Sequence, residues 1–276
     1  MNETPLQIER KSAEYWTVTF DNPPLNLLDP EVVLALRDLL ATLETDEAVK
    51  VVVFNSADED YFISHFDVVR AAEMPGPGPT GLPAWTDIVV RLDRAPFVSI
   101  AAIRGRARGV GSEFVLACDL RFASRERAIL GQPEVGAALV PGGGALEALP
   151  RLVGRSRALE IVLAADDFDA VTAERYGWIN RAVADADLYD VVDTIATRIA
   201  GFDRDALSTA KRIITQRADP VSAEDINESA REFRRLAVSP AGRARVAHLL
   251  ARGMQQRSEF ELNFGTELAR PDASPT

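Results

Sequence analysis

Two short runs, 49–55 and 97–103, are apolar at nearly every position. A strand with one wet face alternates apolar and polar residues. A strand that is apolar on both faces must be covered on both, as parallel sheets sandwiched by helices are. A helical pattern precedes each run. Val32, Val33, Leu36, Leu39, Leu40 and Leu43 share one helical face, with Asp29 as N-cap and Pro30 at the first helical position. Residues 85–92 read as a short helix before the second run. A helix followed by a buried strand is half of a βαβ unit, so the chain is α/β.

Around this core, residues 6–10 and 16–20 alternate and form a strand pair. Short strands follow at 119–123 and 128–130, a helical stretch at 146–163 broken near Gly154, a helix at 169–176 and a last strand at 178–183. Residues 74–83, rich in Pro and Gly, read as a mobile loop. From Leu188 onward only helical patterns occur, around 188–199, 203–217, 222–236 and 240–255. The predicted division is an α/β core over 1–187, a helical part over 188–264 and a disordered tail over 265–276, which is polar and contains Pro271 and Pro275.

The second apolar run feeds Arg104-Gly-Arg-Ala-Arg-Gly-Val-Gly-Ser-Glu113 and then a helical pattern. Gly109 and Gly111 mark a tight strand-to-helix turn, which aims free N–H groups above the helix start. The Val110 N–H there can stabilise a developing oxyanion, and Glu113 can move a proton or simply favour the helix dipole. Gly131-Gln-Pro-Glu134 delivers a second carboxylate on the next turn, and Pro141-Gly-Gly-Gly144 is a second glycine turn before a helix. Two carboxylates in different environments can split into an acid and a base. Ser64-His-Phe-Asp67 lies past the first buried strand, where such sheets bind ligands. His65 is a candidate base or a partly buried loop histidine, and Asp67 a candidate N-cap. Arg104, Arg106, Arg108, Arg125 and Arg127 can receive phosphates or pair with the chain's surplus acids.

That surplus is real: 31 Lys and Arg against 42 Asp and Glu leave a net charge of −11, a poor general binder of nucleic acid or anionic membrane. The one cysteine, Cys118, sits in an apolar run, reads as inert core and excludes a disulfide or paired-cysteine metal site. No apolar run approaches a membrane span and the N-terminus lacks a signal-peptide pattern, so a soluble, cytoplasmic protein is expected.

Taken in order, Asn22-Pro-Pro-Leu-Asn-Leu-Leu28, 49–55, 101–119, Gly131-Gln-Pro-Glu134, Pro141-Gly-Gly-Gly144, Leu152-Val-Gly-Arg155 and 173–180 closely resemble the crotonase superfamily, the enoyl-CoA hydratases and isomerases. The resemblance covers about residues 5–217. It implies a spiral of ββα repeats with a helical C-terminal trimerisation region, and a homotrimer or a dimer of trimers. It implies an acyl-CoA thioester as partner, with coenzyme A part of the substrate and no permanently bound cofactor or metal. It places an oxyanion hole on the backbone N–H groups of Phe66 and Val110, catalysis on Glu113 and Glu134, and substrate-binding residues at Ser64, His65, Gly109, Gly111, Pro141 and Gly142. The glutamate pair favours a hydratase. In syn hydration one glutamate takes a proton from water, and the α-carbon proton comes from the water or from the other glutamate.

The chain departs from the family pattern at several places. Ser64-His65-Phe66 stands where small residues are usual, and Val110 replaces a central glycine. Arg106 and Arg108 occupy a tyrosine-like and an apolar position. Glu147-Ala148 stands where Gln-Arg is common. The usual C-terminal Phe-x-x-Lys-Arg-x-Pro-x-Phe segment is not recognisable in 252–270. The alternatives to a hydratase are an isomerase, decarboxylase or thioester hydrolase of the same fold, or a non-catalytic acyl-ligand or protein-binding member.

Overall fold

The computed structural model describes residues 4–218 and 222–270. Strands β1 (Leu6–Arg10) and β2 (Tyr15–Phe20) pair antiparallel. Helix α1 (Pro30–Thr45) starts where the sequence places it: the Asp29 carboxylate accepts the Val32 N–H, and the six predicted apolar residues are buried. From there each turn of the chain lays down a strand in one sheet, a strand in a second sheet and a helix. The first turn is β3 (Val51–Ser56), β4 (Tyr61–Ile63) and α2 (Ala84–Asp93). The second is β5 (Val98–Ile103), β6 (Arg106–Arg108) and α3 (Val110–Ala117). The third is β7 (Leu120–Ser124), β8 (Ile129–Gly131) and the helix pair α4 (Ala145–Val153) and α5 (Arg155–Ala164). Strand β9 (Asp167–Asp169), α6 (Ala170–Tyr176) and β10 (Arg181–Val183) complete the sheets.

The larger sheet runs β1-β2-β3-β5-β7-β10, parallel from β2 onward. The smaller runs β4-β6-β8-β9, with only β9 antiparallel. This is the ββα spiral. The apolar runs have both faces covered, as their composition demands. Val52, Phe54, Ala101 and Ile103 point into the main core with α1, α2 and α3, whereas Val51, Val53, Ile100 and Ala102 pack against Leu188, Val192 and Ala196 of α7 (Leu188–Ala200).

Helices α8 (Arg204–Arg217), α9 (Ala223–Ala237) and α10 (Pro240–Arg252) follow. They are joined by two short helices, α11 (Glu259–Leu262) and α12 (Phe264–Ala269). Helix α12 corrects the expected disordered tail: residues 265–269 are helical, while 271–276 lie outside the described residues. Phe264 and Leu268, four apart, are buried against Ala137, Leu139, Ala165 and Leu249. Arg245 donates to the Leu268 carbonyl (2.8 Å) and Arg252 to that of Glu267 (3.2 Å), which satisfies the helix end. One apolar pair is too short a stripe to mark a helix in sequence. The predicted mobile loop is tied down at Thr80, whose N–H and hydroxyl both donate to Asp87 Oδ1 (2.9 and 2.6 Å). No helix among the described residues is long and apolar enough to cross a membrane.

The helix that carries Glu113 is seated by its neighbour Phe114, whose ring meets Phe20 and Phe54 edge-on at 5.2 and 5.1 Å. Phe114→Ala is expected to lower the unfolding free energy by about 3–5 kcal/mol in chemical denaturation. A loss below about 1 kcal/mol would mean that this aromatic cluster does not hold α3.

Candidate active site

Three adjacent parallel strands of the smaller sheet end at one cavity. Beyond β4 come His65 and Phe66, beyond β6 come Gly109 and Val110, and beyond β8 comes Glu134. The cavity encloses about 470 Å³, and most of its wall is apolar, including Val33, Met74, Trp85, Leu139 and Phe233.

The turn from β6 into α3 is built for close approach. Gly109 has φ +51°, in the region that favours glycine, and a Cβ there would lie 2.8 Å from Glu134 Oε1. A Cβ at Gly111 would lie 2.2 Å from the Ile63 carbonyl oxygen. Gly109 therefore admits Glu134, whereas Gly111 seats α3 against β4 and does not reach the cavity wall. Val110 is the first residue of α3, so its N–H has no acceptor within the helix.

Across the cavity, Leu28 donates to the His65 carbonyl and accepts from the Asp67 N–H, both at 3.0 Å. Strand geometry alternates, so the Phe66 N–H faces away from Leu28. It has no acceptor among the described residues.

Glu113 is 2% exposed. Its Oε1 accepts the Gly143 N–H at 2.6 Å and meets the Ala145 N–H at 3.5 Å, where α4 begins. The second glycine turn thus serves the carboxylate, and a Cβ at Gly143 would lie 2.3 Å from Glu113 Oε2 and 2.2 Å from Trp85 Nε1. Burial pushes the Glu113 carboxyl up to about 7, against the pull of the two N–H donors.

Glu134 is 9% exposed. Burial and the neighbouring Glu113 charge hold its carboxyl well above the ordinary range. Gln132, its amide set by its partners, donates to Glu134 Oε2 at 3.0 Å and accepts from Ser112 Oγ at 3.0 Å. Two buried carboxylates beside one cavity do not readily ionise together, an arrangement that can divide an acid from a base.

The remaining predicted residues divide. His65, Gly109 and Gly142 line the cavity, whereas Ser64, Gly111 and Pro141 are buried off its wall. The His65 ring lies between the Phe66 carbonyl and Glu261 Oε1, each 3.0 Å away.

The arginines are not free phosphate receivers. Arg104 forks onto Asp185 (2.9 and 2.8 Å), Arg108 onto Asp167 (2.7 and 2.6 Å) and Arg127 reaches Glu59 (2.9 Å). Arg106 and Arg125 donate to the Leu262 and Ala182 carbonyls (2.8 and 3.2 Å). Pairing within the chain is the correct alternative. Cys118 is buried, and burial pushes its thiol up, as inert core requires.

Sequence reasoning missed Trp85, Phe233, Gly143 as the donor to Glu113, Gln132 as the donor to Glu134, and Glu261. The two donors lie inside motifs already singled out. Trp85, Phe233 and Glu261 carry no local signal.

A family model described as enoyl-CoA hydratase/isomerase matches residues 10–243. The short-chain-enoyl-CoA hydratase of Clostridium acetobutylicum is 31% identical over 218 residues, 78% of this chain and 82% of its own. The crotonyl-CoA hydratase of Syntrophomonas wolfei is 32% identical over 197 residues, 70% of this chain and 74% of its own. Among solved structures, a candidate enoyl-CoA hydratase from Streptomyces avermitilis superposes with a TM-score of 0.89 at 46% identity, covering 98% of each chain.

The raised Glu113 carboxyl has a stability consequence. The unfolded chain ionises this group near 4.5 and the folded chain near 7, so folding loses stability as pH rises through that window. The loss is at most about 3 kcal/mol, at about 1.4 kcal/mol per pKa unit. Glu113→Gln removes it while keeping an acceptor for Gly143. The variant is expected to be about 1–3 kcal/mol more stable than wild type at about pH 8, with the gain fading toward about pH 4.5. A pH-independent difference in denaturation would contradict the assignment.

Proposed function

The chain belongs to the enoyl-CoA hydratase/isomerase family of the crotonase superfamily, and from that premise we propose that it adds water across the double bond of a 2-enoyl-CoA thioester. The observation that carries the reading is that Glu113 and Glu134 line one largely apolar cavity together with Phe66 and Val110. In this reading the Phe66 and Val110 N–H groups bind the thioester oxygen, where the enolate charge develops. Each such donor contributes about 3–4 kcal/mol of barrier reduction.

The two carboxyl environments support a division of labour. Glu113, with backbone donors for its charge and a pKa of about 7, takes a proton from water as the water oxygen bonds to the β-carbon. Glu134, held neutral by burial and by the Glu113 charge, gives its proton to the α-carbon. The product is a 3-hydroxyacyl thioester. The proton left on Glu113 returns to Glu134 through solvent before the next turnover.

Coenzyme A enters as part of the substrate, and no bound cofactor takes part in this scheme. We assign the chain to a homotrimer or a dimer of trimers. Helix α8 supports self-association, because it buries no residue within the chain and leaves Ile214 67% exposed. An acyl-CoA is a water-borne polyanion, and the reading carries with it a cytoplasmic enzyme.

Hydration of crotonyl-CoA and longer enoyl-CoA substrates tests the proposal. Glu113→Gln and Glu134→Gln are each expected to lower kcat about 10²–10⁴-fold. The proposal fails if wild type hydrates none of these substrates or if the double variant keeps the full rate. A shifted double bond, a lost carboxyl group or free coenzyme A among the products would move the chain to another crotonase chemistry.

A further inference from the structure

Several departures from the family pattern meet at one residue. Glu261, on the short helix α11, is fully buried. Its Oε1 contacts His65 Nε2 at 3.0 Å, and its Oε2 accepts the Gln255 N–H at 2.9 Å. Its backbone carbonyl accepts from Arg108 Nη1 at 2.8 Å. The next carbonyl, that of Leu262, accepts from Arg108 Nη2 at 2.9 Å and from Arg106 Nε at 2.8 Å. The His65 ring also stacks on Phe264 of α12, with centroids 5.7 Å apart. The unusual loop, the two unusual arginines and the unusual C-terminal segment are therefore parts of one assembly.

This assembly grips both sides of the oxyanion pair. His65 directly precedes Phe66 and contacts its carbonyl through Nδ1 at 3.0 Å. Arg108 is two residues before Val110, on the strand that leads into the turn. The bonding pattern also sets a proton count. Both His65 ring nitrogens face oxygen acceptors, so the ring carries two protons opposite an ionised Glu261 or shares one proton with it. Burial opposes the charged ring, but the Glu261 charge and hydrogen bond outweigh it and raise the His65 pKa, while Arg108 opposes. Burial likewise opposes the Glu261 carboxylate, and His65 outweighs it.

We propose that Glu261 is a positioning residue for the thioester-binding donors: its side chain holds His65 beside the Phe66 N–H, and its carbonyl holds Arg108 below the Val110 N–H. One short helix of the C-terminal part thereby sets the separation of two donors that the α/β core supplies on different loops. The separation matters, because donors act only when each lies about 2.7–3.1 Å from the developing oxyanion. A misplacement of about 1 Å can cost about 10²-fold in rate.

The proposal rests on the hydratase reading, and its test separates the two. Glu261→Gln preserves shape and removes the charge that holds His65. Three quantities are read on wild type and variant: crotonyl-CoA kinetics, thermal stability, and the infrared carbonyl shift of bound butyryl-CoA. The expected result is a kcat lowered about ten- to a hundred-fold, KM within about two-fold, and a smaller carbonyl shift. His65→Asn should do the same, and the double variant should be no worse than either single one, because both break one link. If Glu261→Gln does not fold, His65→Asn alone carries the test with the same criteria. Unchanged kcat and carbonyl shift in the variant, whatever its melting temperature, would overturn the proposal and leave the hydratase reading intact. So would single losses that multiply in the double variant. A wild type that neither hydrates crotonyl-CoA nor shifts the butyryl-CoA carbonyl would sink both.

Discussion

Two carboxyl groups that have lost their water, in one apolar cavity, are the constraint on which this structure turns. Burial raises both, and the Glu113 charge raises Glu134 further. Glu113 is given two backbone donors from the Gly143 turn. Glu134 receives a neutral amide from Gln132 instead. That difference in donors, and not a difference in residue type, gives the two carboxyl groups different environments. Raised carboxyls oppose folding as pH climbs through their range, so the surrounding core must be stable enough to hold them.

The spiral explains how chemistry from distant parts of the chain converges. In the smaller sheet β4, β6 and β8 are parallel neighbours, although some 66 residues separate Ile63 from Ile129. Each strand ends on the same side, so each turn of the spiral presents one loop to the cavity. A parallel sheet has this property in general: ligands sit beyond its carboxyl ends. The repeat thus supplies one donor from the first turn, a second donor and a glutamate from the second, and the other glutamate from the third.

Most of the core was legible in sequence because it depends on local patterns. Fully apolar runs demanded two covered faces, and α1 displayed its buried stripe. Both glutamates stood on glycine-marked turns, where glycine is needed because the backbone passes close to another group. What escaped reading is long-range. Trp85 and Phe233 sit in helices where an aromatic has many possible destinations. Glu261 lies in a segment without a motif, and its partner His65 is 196 residues away. The arginines were visible, but a basic residue meets a phosphate, a carboxylate or a carbonyl equally well by its sequence. Only the folded chain decides among them, and for Arg106 and Arg108 it does so through the docking of α11.

That docking is directional. Phe264 and Leu268 press the C-terminal helices onto the core, but apolar contact tolerates sliding. The buried polar links do not slide. Arg108, 1% exposed, splits its guanidinium between Asp167 and the carbonyls of Glu261 and Leu262. A buried ion pair is weak support for stability, since desolvation can cancel the attraction, whereas its fixed geometry can specify one arrangement among several. His65–Glu261 and Arg108–Asp167 fit that role. His65–Glu261 and the Arg108 bonds to the Glu261 and Leu262 carbonyls tie the loop beyond β4 and strand β6 to one seat of the C-terminal helices, while Arg108–Asp167 fixes β6 against β9.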